Sequence, residues 1–212
     1  MMLKKSLAAL AAAGALLPAL VSAAPTLSIL PAVQTANVGD FVNVTVQISG
    51  LQAIDEVVAA FDLNVLYDTA LLDWRVINAG PGVDAMGGIS DVVGGLDGTN
   101  GAVGADFTSL LTSDDDLVPL QTDPQVLLQF TFEALADGAA YLNFGPDSDF
   151  QRLVVGRGFS PLDLVYTGAC IAIGDSVCQQ VDVPEPGTYG LVAAALLGAF
   201  ATTRRRRSGS FT

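Results

Sequence analysis

Histidine is absent from this chain of 212 residues, and cysteine occurs only twice. Without histidine, no Ser–His–Asp or Cys–His arrangement is available for nucleophilic catalysis. No Walker loop or dinucleotide fingerprint is present either, because the glycines of 80–104 are not placed between a strand and a helix. Carboxylate pairs remain compatible with a glycosidase, but in so acidic a chain a pair has no predictive value. The sequence therefore predicts that the protein is not an enzyme.

Basic residues are scarce in the middle of the chain. Residues 24–182 contain 21 acidic residues but only Arg75, Arg152 and Arg157, which gives a net charge of −18. Such a surface repels nucleic acid and anionic lipid, and it favours solubility. It would also attract divalent cations, so calcium stays open. However, the segment 97–100 (Asp-Gly-Thr-Asn) lacks the alternating oxygen ligands and closing glutamate of an EF-hand loop. No cofactor is predicted.

The N-terminus has the pattern of a secretory signal peptide. Lys4 and Lys5 precede an apolar run over 7–21, and small residues follow it. The segment 21–23 (Val-Ser-Ala) fits a cleavage site, so residues 1–23 are predicted to be removed between Ala23 and Ala24. An uncleaved anchor helix is the alternative, but the short run and the small-residue site favour cleavage.

The C-terminus contains a second apolar segment. Residues 187–203 carry no charge, and as a helix they would span about 26 Å. This is the short end of the range for crossing a hydrocarbon core of about 30 Å. The segment is followed at once by Arg204, Arg205, Arg206 and Arg207, which are predicted to lie on the cytoplasmic side, and by a tail over 208–212. A buried helix of a globular domain is the alternative, although the segment has no polar face.

A short motif precedes this apolar segment. Pro184, Glu185 and Pro186, then the apolar run, then the arginine cluster, resemble the PEP-CTERM sorting signal over 183–207. The resemblance implies recognition of these three residues by an exosortase, a membrane transpeptidase-like protease. It also implies a single-pass inner-membrane intermediate with a cytoplasmic C-terminus. Cleavage near the motif would then release the protein to the cell envelope or an extracellular polymer matrix. Taken alone, the two prolines would only stiffen a linker.

The two cysteines lie close together in the exported part. Cys170 and Cys178 form an even number in an oxidising compartment, which favours a disulfide. Two buried free thiols are the alternative. A metal site would need more ligands than two thiolates provide.

Alternating hydrophobicity indicates a β protein. Val42, Val44, Val46 and Ile48 alternate with polar residues, which is the strongest strand signal in the chain. Further strands are predicted over 26–30, 59–67, 72–78, 106–111, 126–134, 140–144, 153–155 and 164–173. The glycine-rich stretch 80–105 is expected to be a surface excursion that could contain a short hairpin. About nine strands with turns between them predict an all-β sandwich.

Part of this pattern matches a known family. The segments Val38-Gly39-Asp40, Val44-Thr45-Val46, Phe61-Asp62-Leu63, Tyr67-Asp68 and Leu71-Leu72, taken in order, resemble the start of a cohesin-like domain. The resemblance covers about the first third of the exported part and continues in the strand over 126–134. It implies a jelly-roll β-sandwich for residues 24–182.

Two functions fit these features. The first is a non-catalytic structural or interaction protein of the cell surface or matrix, which would associate with exopolysaccharide or a surface protein through loops such as 80–105. The second is a specific carbohydrate- or protein-binding module of cohesin type. Solvent-exposed Trp74 or Tyr67 would favour sugar binding, whereas an exposed flat apolar face would favour a protein partner. Aromatic residues at strand spacing are more often in the core, and both residues are predicted to be there.

Overall fold

The computed structural model describes residues 24–51, 56–87, 89, 91–97, 100–111, 113–145 and 152–179, with only the backbone for 91, 93–97 and 100. None of the helices in these ranges is long and apolar enough to cross a membrane. The predicted signal peptide and the predicted C-terminal helix over 187–203 lie outside the described residues.

The described chain consists almost entirely of strands. In chain order these are β1 (Thr26–Leu30), β2 (Val33–Ala36), β3 (Phe41–Ser49), β4 (Ala60–Tyr67), β5 (Leu72–Ala79), β6 (Asp91–Asp97), β7 (Asn100–Thr108), β8 (Gln125–Ala134), β9 (Gly138–Phe144), β10 (Leu153–Val155), β11 (Val165–Thr167) and β12 (Ala169–Ile173). A one-turn helix, α1 (Val83–Met86), follows β5. Three 3-10 turns lie at Asp114–Asp116, Val118–Leu120 and Arg157–Phe159.

The strands form two sheets that enclose one core. The first sheet has the order β11-β1-β3-β8-β5, and the second has the order β2-β12-β9-β4-β7-β6, with β10 pairing with β4 beside β9. Tyr67 of β4 packs edge-on against Phe132 of β8, with ring centroids 5.2 Å apart, so the two sheets meet through their inner faces. The all-β sandwich predicted from the sequence is confirmed.

The core follows from the alternation in the sequence. Val44, Val46 and Ile48 of β3 are fully buried, as predicted, and β3 pairs with β8, whose Phe130 and Phe132 are buried on the same side. Branched and aromatic side chains on a pleated surface favour strands, and their burial is the main source of stability. The outward residues of β3 are polar except Phe41, so this strand separates core from solvent.

The chain changes sheet near both ends of the domain. Pro31 has no N–H to continue the ladder, so β1 ends in the first sheet and β2 pairs with β12 in the second. The sequence predicts the end at Pro31 but not β2. At the other end, the single strand predicted over 164–173 is wrong. Gly168 divides it into β11, which pairs with β1, and β12, which pairs with β9.

The stretch 80–105 contains a hairpin, which the sequence analysis allowed for, but the hairpin belongs to the sheet and is not a surface excursion. After α1, the strands β6 and β7 form a hairpin that extends the second sheet from β4. The glycines of β7 serve close packing rather than turns. A Cβ atom at Gly101 would lie 2.6 Å from Cε2 of Tyr67, and one at Gly104 would lie 2.9 Å from Cα of Asn64. Glycine at such positions masks the alternation that marks a strand.

A disulfide closes the C-terminal end of the domain. Cys170 in β12 is bonded to Cys178, with a Cα–Cα distance of 5.9 Å. Between them, Gly174 adopts φ 65°, a left-handed conformation that glycine takes without strain, so the chain can turn back after β12. The disulfide therefore ties the last described residues to a central strand.

The first prediction concerns this disulfide. Replacing both Cys170 and Cys178 with Ala should lower the free energy of unfolding by about 2.5 kcal/mol, because the unfolded chain regains the entropy of an open loop. Urea unfolding followed by the fluorescence of Trp74 measures this change. Wild-type protein treated with a reductant should show a similar loss. An unchanged unfolding midpoint in both cases would contradict the prediction.

The second prediction concerns alkaline pH. Burial raises the pKa of Tyr67, and the nearby charge of Asp73 raises it further, although a hydrogen bond with the backbone of Trp74 acts in the opposite direction. A raised folded-state pKa contributes stability that is present below the unfolded value of about 10 and is lost as the pH rises through the folded value. Unfolding free energies measured from pH 8 to 11 should therefore fall above about pH 10. The unfolding free energy of the Tyr67→Phe variant should fall less steeply with pH. An identical pH dependence in the variant and the wild type would contradict the raised pKa of Tyr67.

Candidate interaction surface

An open groove lies between the end of β4 and β9. It has a volume of about 270 Å³ and is lined by Leu66, Tyr67, Asp68, Ala139, Tyr141 and Asn143. Three of its lining residues, Ala139, Tyr141 and Asn143, come from the outward positions of β9. Because Ala140, Leu142 and Phe144 of this strand are buried, Tyr141 and Asn143 point to the outer face of the sheet. The groove is thus part of the outer surface of the second sheet.

The backbone beneath the groove is held on both sides. Tyr141 pairs with Cys170 of β12, and Asn143 pairs with Leu66 of β4. Cys170 is in turn fixed by the disulfide to Cys178. The strand that carries Tyr141 and Asn143 is therefore an interior strand of the sheet, and its outward side chains start from a rigid base.

The polar groups of the groove are positioned by local contacts. Gly168 leaves space for the amide of Asn143, since a Cβ atom there would lie 2.7 Å from its Oδ1. The Oδ1 atom of Asp68 accepts a hydrogen bond from the Ala70 N–H at 2.8 Å, which holds the carboxylate in a turn after β4. Both polar side chains are exposed to solvent.

The outer face of the first sheet carries few charges and is mostly polar, with Phe41, Val76 and Val165 as exposed apolar residues. Its outward residues from β1, β3, β8, β5 and β11 are mainly Ser, Thr, Asn and Gln, and they lie in register across the strands: Thr26, Ser28, Asn43, Thr45, Gln47, Ser49, Asn78, Gln129, Thr131 and Thr167. Thr131 donates a hydrogen bond to Asn43 across the β3–β8 pair at 2.7 Å. In a domain of charge −18, this neutral face is a marked exception.

The charges on this face are gathered at one end. Arg75 in β5 forms an ion pair with Asp73 at 2.9 Å, and its Nε donates to Glu133 of β8 at 2.9 Å. The contact with Glu133 raises the pKa of the Arg75 guanidinium. These side chains remain exposed to solvent, so their contribution to stability is small. Their main effect is to bring two carboxylates and one guanidinium together at the edge of the face, which leaves a net charge of −1 there.

The acidic stretch Asp114–Asp116 makes contacts with a distant part of the chain. Asp115 pairs with Arg157 at 2.8 Å, and Asp114 accepts a hydrogen bond from the Gly158 N–H at 2.7 Å. These contacts hold the turn at Arg157–Phe159, where Phe159 is 65% exposed and has a φ of 56°. The partners are more than 40 residues apart, so no local pattern indicates them.

The aromatic residues named in the sequence analysis lie where the core interpretation put them. Tyr67 is buried, and Trp74 is partly buried against the core, so neither presents an open ring to solvent. Sequence reasoning missed Tyr141 and Asn143. The available signal was the position of these two polar side chains between buried residues in the predicted strand 140–144.

The remaining predicted site residues have different outcomes. Cys170 and Cys178 form the expected disulfide. Ala24 is exposed at the start of the described chain, whereas Ala23 and the sorting residues Pro184–Pro186 and Arg204–Arg207 lie outside the described residues. Within the described ranges, no group of three or more Cys, Asp or Glu side chains is arranged to hold a metal ion.

Comparison with known families identifies the C-terminal segment. The model of the PEP-CTERM protein-sorting motif matches residues 182–207. The chain therefore carries this motif after the last cysteine, in agreement with the resemblance noted in the sequence. No curated protein matches the chain.

Comparison with solved structures identifies the fold. The cohesin in the OlpA cohesin–Doc918 complex of Clostridium thermocellum is 13% identical, with 72% of this chain and 100% of that chain covered and a TM-score of 0.54. A type II cohesin from the cellulosome of Acetivibrio cellulolyticus is 16% identical, with 70% and 95% covered and a TM-score of 0.52. The CaCohA2 cohesin of Clostridium acetobutylicum is 15% identical, with 73% and 94% covered and a TM-score of 0.51. At these identities the likeness shows the fold, which is a cohesin-like β-sandwich.

Proposed function

We propose that this protein is an exported, non-catalytic interaction module that is sorted through its C-terminal PEP-CTERM motif. The observation that carries the proposal is the order of the two parts. A cohesin-like sandwich ends at the Cys170–Cys178 disulfide, and the sorting motif begins at residue 182. A stable domain followed directly by an address signal is the organisation of a protein that is displayed or released.

The sorting route follows from the two ends of the chain. Residues 1–23 direct export and are removed after Ala23. The apolar segment 187–203 then holds the protein in the inner membrane, with Arg204–Arg207 on the cytoplasmic side. An exosortase-type protease recognises Pro184–Pro186 and releases the domain to the envelope or the extracellular space. A disulfide within the exported part is consistent with this oxidising destination.

The partner of the displayed domain is a polysaccharide or another surface protein. The cohesins in several of the compared structures are in complex with dockerins, which supports a protein partner for a fold of this kind. The neutral face of the first sheet and the groove beside Tyr141 support a hydroxyl-rich polymer. The net charge of −18 disfavours nucleic acid in either case.

The third prediction tests the sorting route. In the native host, wild-type protein should be recovered from the surface or medium with a mass that lacks the first 23 residues and the segment after the Pro184–Pro186 region. Replacing Pro184, Glu185 and Pro186 with Ala should leave the protein in the membrane fraction with Arg204–Arg207 intact. Intact-mass spectrometry of each fraction measures both results.

A substitution in the tail provides the control for this experiment. Ser208→Ala lies downstream of the motif and should be processed like wild type. Recovery of wild-type protein that still contains the arginine cluster outside the membrane fraction would contradict the cleavage step. Wild-type protein that stays in the membrane would leave a tethered domain and remove the release step.

A further inference from the structure

The groove beside Tyr141 combines an exposed aromatic ring with an amide and a carboxylate. The side chain of Tyr141 is 41% exposed, and Asn143 lies on the same face two residues further along β9. Asp68, which directly follows the end of β4, lines the same groove. We propose that this groove is a binding subsite for a neutral polysaccharide. The proposal deepens the proposed function, on which it rests, by naming a ligand class and a site.

The chemistry of the groove matches both surfaces of a sugar ring. A pyranose has C–H groups on its faces and hydroxyl groups on its rim. The ring of Tyr141 offers a flat apolar surface with few rotatable bonds, and Leu66 and Ala139 extend that surface. The amide of Asn143 both donates and accepts hydrogen bonds, and the carboxylate of Asp68 accepts them. Stacking and rim contacts can therefore act on one ring together.

The binding groups are already held in position before a ligand arrives. Tyr141 stands on an interior strand whose neighbour Cys170 is locked by a disulfide. Gly168 leaves space for the Asn143 amide, and Ala70 fixes the carboxylate of Asp68. The backbone under the groove therefore need not be ordered on binding, which favours affinity from a small contact area.

The size of the groove indicates part of a polymer rather than a whole small ligand. Its volume of about 270 Å³ lies just below the range of about 300–1,000 Å³ that is usual for small-molecule pockets. The groove is open, so a chain can occupy it with one or two rings and continue beyond it. This fits a saccharide polymer better than a free monosaccharide, which would be left largely exposed.

The charge of the domain selects against acidic polymers. The exported part carries −18, and Asp68 lies in the groove itself. An anionic polysaccharide would be repelled at long range and would meet a carboxylate at short range. A neutral polymer meets neither cost, because its hydroxyl groups can donate hydrogen bonds to that same carboxylate.

The fourth prediction tests this site with the protein in the form in which it is recovered, purified from whichever cell fraction contains it. The probes are matrix polysaccharide extracted from the host, a soluble β-glucan, a galactomannan and dextran, with alginate as the anionic comparison. Native affinity electrophoresis measures the retardation of the protein by each polymer. Wild-type protein should be retarded by at least one neutral polymer and not by alginate. The Tyr141→Ala variant should bind that polymer about tenfold more weakly, because the stacking surface is lost.

Matched variants separate the site from the rest of the surface. Phe159→Ala removes an exposed aromatic ring elsewhere and should bind like wild type. Tyr141→Phe keeps the ring and should retain most of the binding. Asn143→Ala changes an exposed side chain and should weaken binding several-fold with an unchanged urea midpoint. This last variant keeps the test valid if Tyr141→Ala fails to fold.

Three outcomes would overturn the proposal. These are no retardation of wild type by any neutral polymer, equal retardation of wild type and the Tyr141→Ala and Asn143→Ala variants, or stronger retardation by alginate. The readout does not depend on processing, since the protein is taken from any fraction. Failure of this test would therefore leave the sorting proposal standing, and a sorting failure would leave this site standing.

Discussion

The closure of the sandwich by β12 is the constraint on which the rest of the domain depends. This strand pairs in parallel with β2 and antiparallel with β9, so it joins the N-terminal part of the domain to its centre. Its five residues are all buried, and its cysteine forms the disulfide. Without this strand, β2 would have no partner in the second sheet, and β9 would become an edge. The strand that carries Tyr141 would then be hydrogen-bonded to a neighbouring strand on only one side.

The hydrophobic core explains how so acidic a domain can remain folded. A net charge of −18 disfavours the compact state through self-repulsion, and only three basic residues oppose it. Two of these form local ion pairs. Arg75 pairs with Asp73 and Glu133, and Arg157 pairs with Asp115. Arg152 lies over the ring of Tyr166 at 4.5 Å. Exposed ion pairs of this kind contribute little to the free energy of folding. Burial of the hydrophobic core must therefore supply most of the stability.

Sequence patterns predicted the parts of this structure that repeat along the chain, and they missed the parts made by distant residues. The strands β3, β4, β5, β8 and β9 were predictable because each keeps a period of two, and the sorting motif was predictable because its three parts are contiguous. For β6 and β7 the sequence indicated only a possible hairpin and the last residues of β7, because glycine replaces side chains where β7 closely approaches β4. The break at Gly168 was missed because it depends on crowding against β9. The groove was missed because its lining residues come from two segments that are distant in sequence, Leu66–Asp68 and Ala139–Asn143.

Export and binding place opposite demands on the surface of such a protein. During transit the chain must avoid the anionic membrane surface and other secreted chains, which a strongly negative domain does by repulsion. At its destination it must adhere to something, and a uniformly negative surface would adhere poorly to most matrix components. The structure separates the two demands in space. Carboxylates concentrate on loops and strand ends. The groove of Tyr141 and Asn143 contains one of them, Asp68, and the Ser, Thr, Asn and Gln rows of the first sheet are flanked only at one end by Arg75, Asp73 and Glu133. A partner that hydrogen-bonds without carrying charge can therefore approach these faces at no electrostatic cost, whereas membranes and nucleic acids cannot.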